Sequence, residues 1–275
     1  MTAKNLSNLF DLSGKVALIT GGTGIQGQRI SRGLAANGAD VAIVDLDADA
    51  AEDLARDIAQ EFGGRVIGIA CDVSNPESVR AMVDQVTETL GGIDVLHNNA
   101  ASKTKNPADY FKDFDEFEFQ VWRDIMSVNI DGMFLMAQAV GKQMLKQGRG
   151  GSIIQTASTY GVVGPDFRIY EGSEYMGHTI TTPAAYSASK GAIVALTRYL
   201  ATYWGDKGIR VNTLVPGGIE SGQNETFQAN YGARTPLGRM AHVDEMVGAV
   251  VYMASDASSY MTGQMLVVDG GWTAW

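Results

Sequence analysis

A tyrosine and a lysine four positions apart, Tyr186 and Lys190, form the pair of side chains in this sequence best suited to move a proton. Apolar residues at helical spacing surround them, and positions i and i+4 of a helix share one face. The phenol and the ammonium can therefore point into one site, where the cation would lower the pKa of the tyrosine from its usual value of about 10. The pair predicts a general acid and base. The alternative is a packed helical tyrosine beside a solvated lysine.

A glycine-rich turn near the N-terminus is the second group of residues able to hold a ligand. The apolar run 16–19 predicts a buried strand, and a helical pattern follows the turn. Gly22, Gly24 and Gly27 between them match the spacing G-x-G-x-x-G. Glycines tolerate positive φ and keep no side chain between the backbone and a ligand, and a helix N-terminus favours an anion. The turn therefore predicts a pyrophosphate site.

An acidic residue, Asp45, ends the next apolar strand, 41–44, at the distance from the glycines that is typical of a dinucleotide fold. A carboxylate at this point accepts a hydrogen bond from a ribose 2′-OH and repels a 2′-phosphate. The neighbouring positions, Leu46 and Asp47, supply no cation, and neither does the first glycine turn. We therefore expect NAD rather than NADP. An ordinary strand–helix turn with Asp45 capping the next loop is the alternative.

Strands and helices alternate along the whole chain, which must position these groups. Seven strands are predicted, at 16–19, 41–44, 66–70, 93–96, 152–156, 211–215 and 265–268, with helical patterns between them. This alternation predicts a single α/β domain over 1–275, of the Rossmann type, with a doubly wound seven-stranded parallel sheet and helices on both faces. Its site lies at the carboxyl ends of the strands.

Several motifs follow one another in the order typical of the short-chain dehydrogenase/reductase family, which the chain resembles from about 12 to 271. After the glycine turn come Asn98-Asn99-Ala100, Asn129, Ser158, the pair Tyr186 and Lys190, and Pro216-Gly217. The glycine spacing T-G-x-x-G-x-x-G is that of the extended branch of the family, whereas the later motifs and the length match the classical branch. The resemblance implies an NAD(P)-dependent oxidoreductase.

The resemblance also implies roles for single residues. Tyr186 would exchange the proton of an alcohol or ketone, Lys190 would bind the nicotinamide ribose and lower the tyrosine pKa, and Ser158 would bind the substrate oxygen. Asn129 would hold a water that links Lys190 to solvent. Asp72 and Val73 would surround the adenine, and Ile219 and Ser221 would contact the carboxamide. The implied cofactor residues are Gly21, Thr23, Gly24, Ile25, Gln26, Gly27, Asp45, Leu46, Asp72, Val73, Asn99, Ala100, Tyr186, Lys190, Pro216, Gly217, Ile219 and Ser221.

Two segments near the expected site are longer or more polar than the family pattern requires. Ser158 and Tyr186 are 28 positions apart, and the surplus forms an inserted active-site loop at 162–183. The polar segment 217–238 is expected to form a substrate lid. Arg168, Tyr175, His178 and Asn224 are the candidate substrate contacts, and they suit a small, polar, polyhydroxylated compound. A solvated surface loop or a subunit contact is the alternative.

Composition limits the partners. The chain has 21 Lys and Arg against 31 Asp and Glu, a net charge of −10, which argues against nucleic acid and anionic membranes. The single cysteine, Cys71, allows no intrachain disulfide and is expected to be a buried, inert thiol. The three scattered histidines suggest no metal site. No signal peptide or membrane-spanning run is apparent, so a cytoplasmic location is expected.

The predicted helix 120–146 carries Met126, Met133, Phe134, Met136 and Met144, more apolar surface than one covering helix normally needs. In the family this helix and the Tyr186 helix pair across a subunit interface, which implies a homotetramer or a dimer. Core packing is the alternative. Trp272 and Trp275 are expected either to dock on a neighbouring subunit or to fray.

The function predicted from all of these features is NAD-dependent interconversion of a secondary alcohol and a ketone, on a sugar, a sugar acid or a related polyol. The alternatives are a 3-oxoacyl reductase acting on a carrier-bound chain, a nucleotide-sugar-modifying enzyme and a non-catalytic dinucleotide sensor. Asp45 and the acidic composition count against the first, and the length of the chain counts against the second. The complete set of Ser158, Tyr186 and Lys190 counts against the third.

Overall fold

A computed structural model describes residues 6–102, 104, 106–175 and 177–275 of the chain. Four parts of the sequence-based expectations therefore lie outside the described residues. They are positions 1–5, Lys103 and Lys105 after the fourth predicted strand, and Met176 of the inserted loop.

Seven parallel strands form one sheet, and a separate two-stranded antiparallel hairpin lies in the inserted loop. In chain order the strands are β1 (Val16–Thr20), β2 (Asp40–Asp45), β3 (Val66–Ala70), β4 (Val95–Asn98), β5 (Gly151–Thr156), the hairpin β6 (Glu174–Tyr175) and β7 (His178–Thr179), β8 (Ile209–Pro216) and β9 (Met265–Val268). The order across the large sheet is β3-β2-β1-β4-β5-β8-β9, so the direction of winding reverses between β1 and β4. The predicted doubly wound sheet is confirmed.

Helices cover both faces of this sheet. Within the described residues they are α1 (Ile25–Ala36), α2 (Ala48–Phe62), α3 (Pro76–Leu90), α4 (Pro107–Tyr110), α5 (Phe119–Met126), α6 (Met133–Gln147), α7 (Ala184–Trp204), α8 (Glu225–Arg234) and α9 (Val247–Ala254). The apolar residues of α1, α2 and α9 pack together in one core cluster, and those of α3, α6 and α7 pack in another. Two apolar layers therefore enclose the sheet, as a buried parallel sheet requires.

The long helix predicted for 120–146 is divided. α5 ends at Met126, a π-helical turn spans Ser127–Gly132, and α6 begins at Met133. On α6, Met133, Met136 and Met144 are buried, whereas Phe134 is 46% exposed. The methionines are thus part of the core, and the prediction that they leave surplus surface for a subunit interface is wrong for these three residues. They fill irregular space between α6 and the sheet, for which the flexible methionine side chain is well suited.

The polar segment after β8 contains a helix that sequence analysis did not predict. Asn224 caps α8, because its side-chain oxygen accepts a hydrogen bond of 2.8 Å from the backbone N–H of Phe227. Phe227 and Tyr231, four positions apart, are buried on the inner face of α8. Their ring contacts, rather than a regular amphipathic pattern, give this short helix its buried face.

Three features that composition raised can be located in the described part of the chain. No described helix is long and apolar enough to cross a membrane. No group of three His, Cys, Asp or Glu side chains among these residues is placed to hold a metal ion. Cys71 is a free, buried thiol, and burial raises its pKa, as expected of an inert cysteine.

Gly27 is required by the close packing of α1 on the glycine turn. A Cβ at this position would overlap the carbonyl oxygen of Gly21 and the backbone of Gly22, whereas a Cβ at Gly24 would meet the Gly21 oxygen at 3.3 Å. We expect Gly27→Ala to lower the free energy of unfolding by about 1–3 kcal/mol, the cost of overpacking. Gly24→Ala is the matched control and should cost less than about 1 kcal/mol. Denaturant unfolding measures both, and equal losses would contradict this account.

Candidate active site

A cavity of about 560 Å³ lies beside the β1 and β4 strand ends. It joins the glycine turn on one side to the start of α7 on the other, because all strands of a parallel sheet end at the same edge. It brings together most of the predicted site. The predicted residues that line it are Gly21, Thr23, Gly24, Ile25, Gln26, Asp45, Asn99, Ala100, Ser158, Tyr186, Lys190, Pro216, Gly217, Ile219 and Ser221.

The glycine turn has the conformation that a phosphate site needs. Gly21 has a φ of 62°, in the left-handed region that favours glycine, and the N–H of Gly24 donates to its carbonyl oxygen at 3.2 Å. α1 begins directly after Gly24, and no side chain caps it. The first N–H groups of the helix therefore have no side-chain acceptor and lie beside the cavity, where an anion can bind them. This arrangement fits the pyrophosphate of a dinucleotide.

The carboxylate of Asp45 is held at the edge of the cavity by three donors. One oxygen accepts from the backbone N–H of Thr23 at 2.9 Å and from its hydroxyl at 2.6 Å, and the other accepts from the N–H of Leu46 at 2.8 Å. An ionised carboxylate has about four acceptor positions, so capacity remains for a ribose hydroxyl. Among the described residues that line the cavity, Lys190 is the only cation, and it lies at the α7 end.

Hydrogen bonds from one threonine tie the glycine turn to the end of β4. The hydroxyl of Thr20 accepts from the backbone N–H groups of Asn99 at 2.9 Å and Ala100 at 3.0 Å. Asn98 is not among the residues that line the cavity, and its Nδ2 donates to the carbonyl of Met133 at 2.9 Å. Asn99 lines the cavity in its place. The strand ends on both sides of the winding reversal are therefore held together.

Lys190 is a buried cation, with only 3% of its surface exposed. Its Nζ donates to the carbonyl oxygen of Thr156 at 2.9 Å and lies 5.7 Å from the centre of the Tyr186 ring. The phenol and the ammonium thus share one side of α7, as their spacing predicts. Burial lowers the lysine pKa from 10.5 to about 8, because the charged form loses its hydration.

Burial changes the pKa of Tyr186 more than the neighbouring residues do. Burial raises its pKa above the usual value, and a hydrogen bond with Ser158 lowers it by a smaller amount. The direction is opposite to the sequence-based expectation, which considered only the attraction of the Lys190 charge. In the folded chain the loss of water around the phenol has the larger effect on its pKa.

Asn129 lies in the π-helical turn and not on the cavity wall. Its side-chain oxygen accepts from the N–H of Ser102 at 2.9 Å, and its Nδ2 donates to the hydroxyl of Ser189 at 3.2 Å. Ser189 in turn donates to the carbonyl of Tyr186 at 2.8 Å. A π-turn of this kind is frequent at functional sites. In this structure Asn129 connects the segment after β4 to α7, the helix that carries Tyr186 and Lys190.

A neutral histidine lies behind Lys190, and sequence analysis gave it no role. His97 is fully buried, and burial lowers its pKa to about 3, so the ring is uncharged at neutral pH. Its Nε2 lies 2.9 Å from the hydroxyl of Thr156, the residue whose carbonyl accepts from Lys190. His97 and Lys190 therefore hold the same residue from two sides.

Four of the predicted cofactor residues lie outside the cavity wall. Gly27 packs behind the turn, and Leu46 is 74% exposed. Asp72 is also exposed, and its carboxylate accepts from the N–H and the hydroxyl of Ser74 at 2.9 and 2.6 Å. Val73 is buried in the core cluster on the α3 side of the sheet. Their contacts with a cofactor remain predictions.

The four candidate substrate residues do not line the cavity in the described part of the chain. Arg168 pairs with Asp166, and Asn224 caps α8. Tyr175 and His178 face each other as exposed residues of the β6–β7 hairpin. The geometry thus directs these side chains to structural contacts or to solvent.

Five aromatic side chains and one methionine, which sequence analysis did not select, form the far wall of the cavity instead. The described residues of this wall are Tyr110, Tyr160, Tyr170, Phe227, Tyr231 and Met240. The only sequence signals were the position of Tyr160 two residues after Ser158 and the spacing of Phe227 and Tyr231. The remaining members come from distant segments, so no local pattern could have grouped them.

Fold and site together define an oxidoreductase built on a dinucleotide-binding domain. The family model described as enoyl-(acyl carrier protein) reductase matches residues 22–273. The D-threitol dehydrogenase of Mycolicibacterium smegmatis is 38% identical over 278 residues, which cover 98% of each chain. The chain belongs to the short-chain dehydrogenase/reductase family, which confirms the identification made from its motifs.

Two solved structures extend the comparison. The crystal structure of a gluconate 5-dehydrogenase from Burkholderia cenocepacia, in complex with NADP and tartrate, is 35% identical, covers 98% of both chains and superposes with a TM-score of 0.85. A short-chain dehydrogenase from Leptospira borgpetersenii with bound NAD+ is 30% identical, covers 99% of this chain and 97% of its own, and has a TM-score of 0.83. Structures of this family that match the chain therefore hold either dinucleotide.

Replacing Lys190 by methionine should stabilise the protein at neutral pH while it abolishes turnover. The lysine pKa falls from 10.5 to about 8 on folding, so between these values the unfolded chain holds a proton that the folded chain has lost. Wild-type stability from this group therefore rises with pH across that window, and below it the buried cation costs about 3 kcal/mol. Denaturant unfolding of both proteins at pH 7 and pH 10 should show the advantage of Lys190→Met shrinking. A pH-independent difference would contradict it.

Proposed function

We propose that this protein is an NAD-dependent dehydrogenase that interconverts a secondary alcohol and a ketone on a sugar, a sugar acid or a related polyol. The observation that carries the proposal is the single cavity that joins the glycine turn and Asp45 to Ser158, Tyr186 and Lys190. One end suits the phosphates and ribose of a dinucleotide, and the other suits proton transfer at a substrate oxygen. Relatives named for D-threitol and gluconate support the substrate class.

The side chains at the α7 end can carry out the proton half of this reaction. A bound NAD supplies the hydride acceptor. Ser158 and Tyr186 share a hydrogen bond, so their hydroxyl groups can both bind the oxygen of an alcohol. Tyr186, in its phenolate form, takes the alcohol proton and returns it in the reverse direction. Burial opposes the phenolate by raising the pKa of Tyr186, and the ammonium of Lys190, 5.7 Å from the ring, offsets part of this effect by charge attraction.

The preference for NAD rests on the fixed carboxylate of Asp45. Its three donors hold it in place, and a 2′-phosphate beside it would bring two negative charges together without a compensating cation among the described lining residues. Leu46 and Thr23, the neighbours of this carboxylate, carry no charge. Because matching structures hold NADP as well as NAD+, the choice depends on this residue rather than on the family.

The inserted loop 162–183 and the lid segment 217–238 supply the substrate side of the cavity in this proposal. Tyr170 comes from the first, and Phe227 and Tyr231 come from the second. Aromatic rings present an apolar face and, in tyrosine, a hydroxyl group that can donate and accept. Such a wall suits a compound whose carbon chain is covered with hydroxyl groups.

We also propose a homo-oligomer, a tetramer or a dimer, formed through the outer faces of α6 and α7. On α7, Tyr199 and Tyr203 are exposed and stack with their ring centres 5.9 Å apart. Phe134 is exposed on α6. Large aromatic groups in solvent are typical of a contact surface. Light scattering at micromolar concentration tests this, and a monomer would exclude it.

The substrate class is tested by offering the purified protein a panel of alditols, aldoses, aldonic acids and acyl thioesters with NAD and NADP. We expect NADH formation with members of the first three groups. Tyr186→Phe should reduce kcat by about a hundredfold or more, the contribution of a positioned acid and base, while NAD still binds. Turnover confined to acyl thioesters, or full activity of Tyr186→Phe, would refute the proposal.

Cofactor choice is tested by Asp45→Ser. Removing the carboxylate should lower kcat/KM with NAD by about tenfold and raise it with NADP, because one acceptor and one repulsive charge are lost together. Asp49→Ser, on the exposed first turn of α2, is the control for a general change in surface charge. Wild-type protein with equal kcat/KM for both cofactors would disprove the preference.

A further inference from the structure

We propose that Arg234 is a positioning residue for the substrate. Through Asp166 and Trp272 it joins the inserted loop, the lid helix α8 and the C-terminal turn into one wall of the cavity. The inference rests on the proposed function, since it concerns the substrate side of the same site. We call Asp166, Arg234 and Trp272 the clasp.

Asp166 is the point at which the inserted loop meets α8. Its side chain is only 10% exposed, and one carboxylate oxygen lies 2.7 Å from Nη2 of Arg168 and 2.7 Å from Nε of Arg234. The hydrogen bond from Arg168, together with the charge of Arg234, lowers its pKa to about 2, so it is ionised at neutral pH. Arg168 belongs to the same loop as Asp166. Of the two arginines, only Arg234 links α8 to the inserted loop.

The far side of Arg234 rests on the C-terminal turn. Its guanidinium carbon lies 5.6 Å from the ring centre of Trp272, a cation–π distance. Trp272 is buried and stacks on Tyr231, with ring centres 4.4 Å apart and planes at 19°. The hydroxyl of Tyr231 accepts from the N–H of Gly218, at the start of the lid segment. A continuous set of contacts thus leads from the clasp to the cavity.

The structure places both C-terminal tryptophans against the end of α8, and docking on a neighbouring subunit stays a prediction for the exposed Trp275. Trp272 is buried in an apolar cluster with Phe227 and Tyr231. Trp275 is exposed, and its indole N–H donates to the carbonyl of Arg234 at 3.2 Å. Both tryptophans therefore contact the residue at the end of α8.

Two asparagines of the lid segment strengthen the same junction. Asn230 donates to the carbonyls of Ile169 at 3.2 Å and Glu171 at 3.0 Å. Asn224 donates to the carbonyl of Glu174 at 3.2 Å. These bonds run from α8 to the backbone of the inserted loop at several points along its length. The two segments therefore form one unit and not two independent flaps.

The rings that face the substrate lie between these polar contacts. Tyr170 of the inserted loop and Phe227 of α8 lie with ring centres 5.6 Å apart, and the Tyr170 hydroxyl donates to that of Tyr160 at 3.3 Å. All three line the cavity. The clasp itself does not touch the cavity, so Arg234 acts through Tyr231 and Phe227. Its loss should weaken substrate binding and leave the proton-transfer residues in place.

The test compares Arg234→Gln with Arg168→Gln. Each removes one cation from Asp166, but only the first breaks the link between segments. We expect Arg234→Gln to raise KM for the best polyol or sugar about fivefold to tenfold, the size of one charge-assisted contact, with kcat and NAD affinity changed less than about twofold. Arg168→Gln should change KM less than about twofold. Arg234→Lys, which keeps the charge, should recover part of the loss.

Hydrogen exchange provides a readout that needs no substrate. In Arg234→Gln, amides of 166–175 and of 224–234 should exchange faster together, whereas the strands of the sheet should be unchanged. The proposal is overturned if both segments keep wild-type exchange, or if they loosen without any rise in KM. Equal effects of Arg168→Gln and Arg234→Gln would overturn it too. If no substrate is found, the proposed function fails while the exchange result still decides whether the clasp exists.

Discussion

Parallel strand pairing at one point of winding reversal is the constraint on which this structure depends. β1 pairs with β2 on one side and β4 on the other, all in the same direction, so their carboxyl ends meet at one edge. The hydroxyl of Thr20 then holds Asn99 and Ala100 against the end of β1. The cavity beside the ends of β1 and β4 has the glycine turn on one side and α7 on the other. A slip of either strand would separate the glycine turn from Tyr186 and Lys190.

Three polar side chains buried around this edge, Lys190, His97 and Asn129, have specific partners. Lys190 donates to the Thr156 carbonyl, and His97 lies beside the hydroxyl of the same residue. Asn129 satisfies both ends of its amide within the protein. Burying such groups costs free energy that hydrogen bonds only partly return. The site therefore holds its charged and polar groups in order before any ligand arrives, at the expense of stability.

Local patterns predicted the elements that depend on local chemistry. The apolar runs gave all seven strands of the large sheet to within two residues at both ends. α8 was missed, since its helical face depends on two rings that pack against the inserted loop. Arg168, Tyr175 and His178 of that loop do not line the cavity in the described structure, because polarity alone does not give the direction of a side chain, and their contacts with a substrate remain predictions.

The sequence by itself determined the α/β alternation, the glycine turn, the position of Asp45 and the i, i+4 relation of Tyr186 and Lys190. Each of these depends on residues close together in the chain, where backbone geometry and helical periodicity act directly. Only the tertiary structure decided that Trp272, Arg234 and Asp166 meet, and that burial raises the pKa of Tyr186. Contacts between distant segments and the loss of water around a group follow from packing, which no local spacing contains.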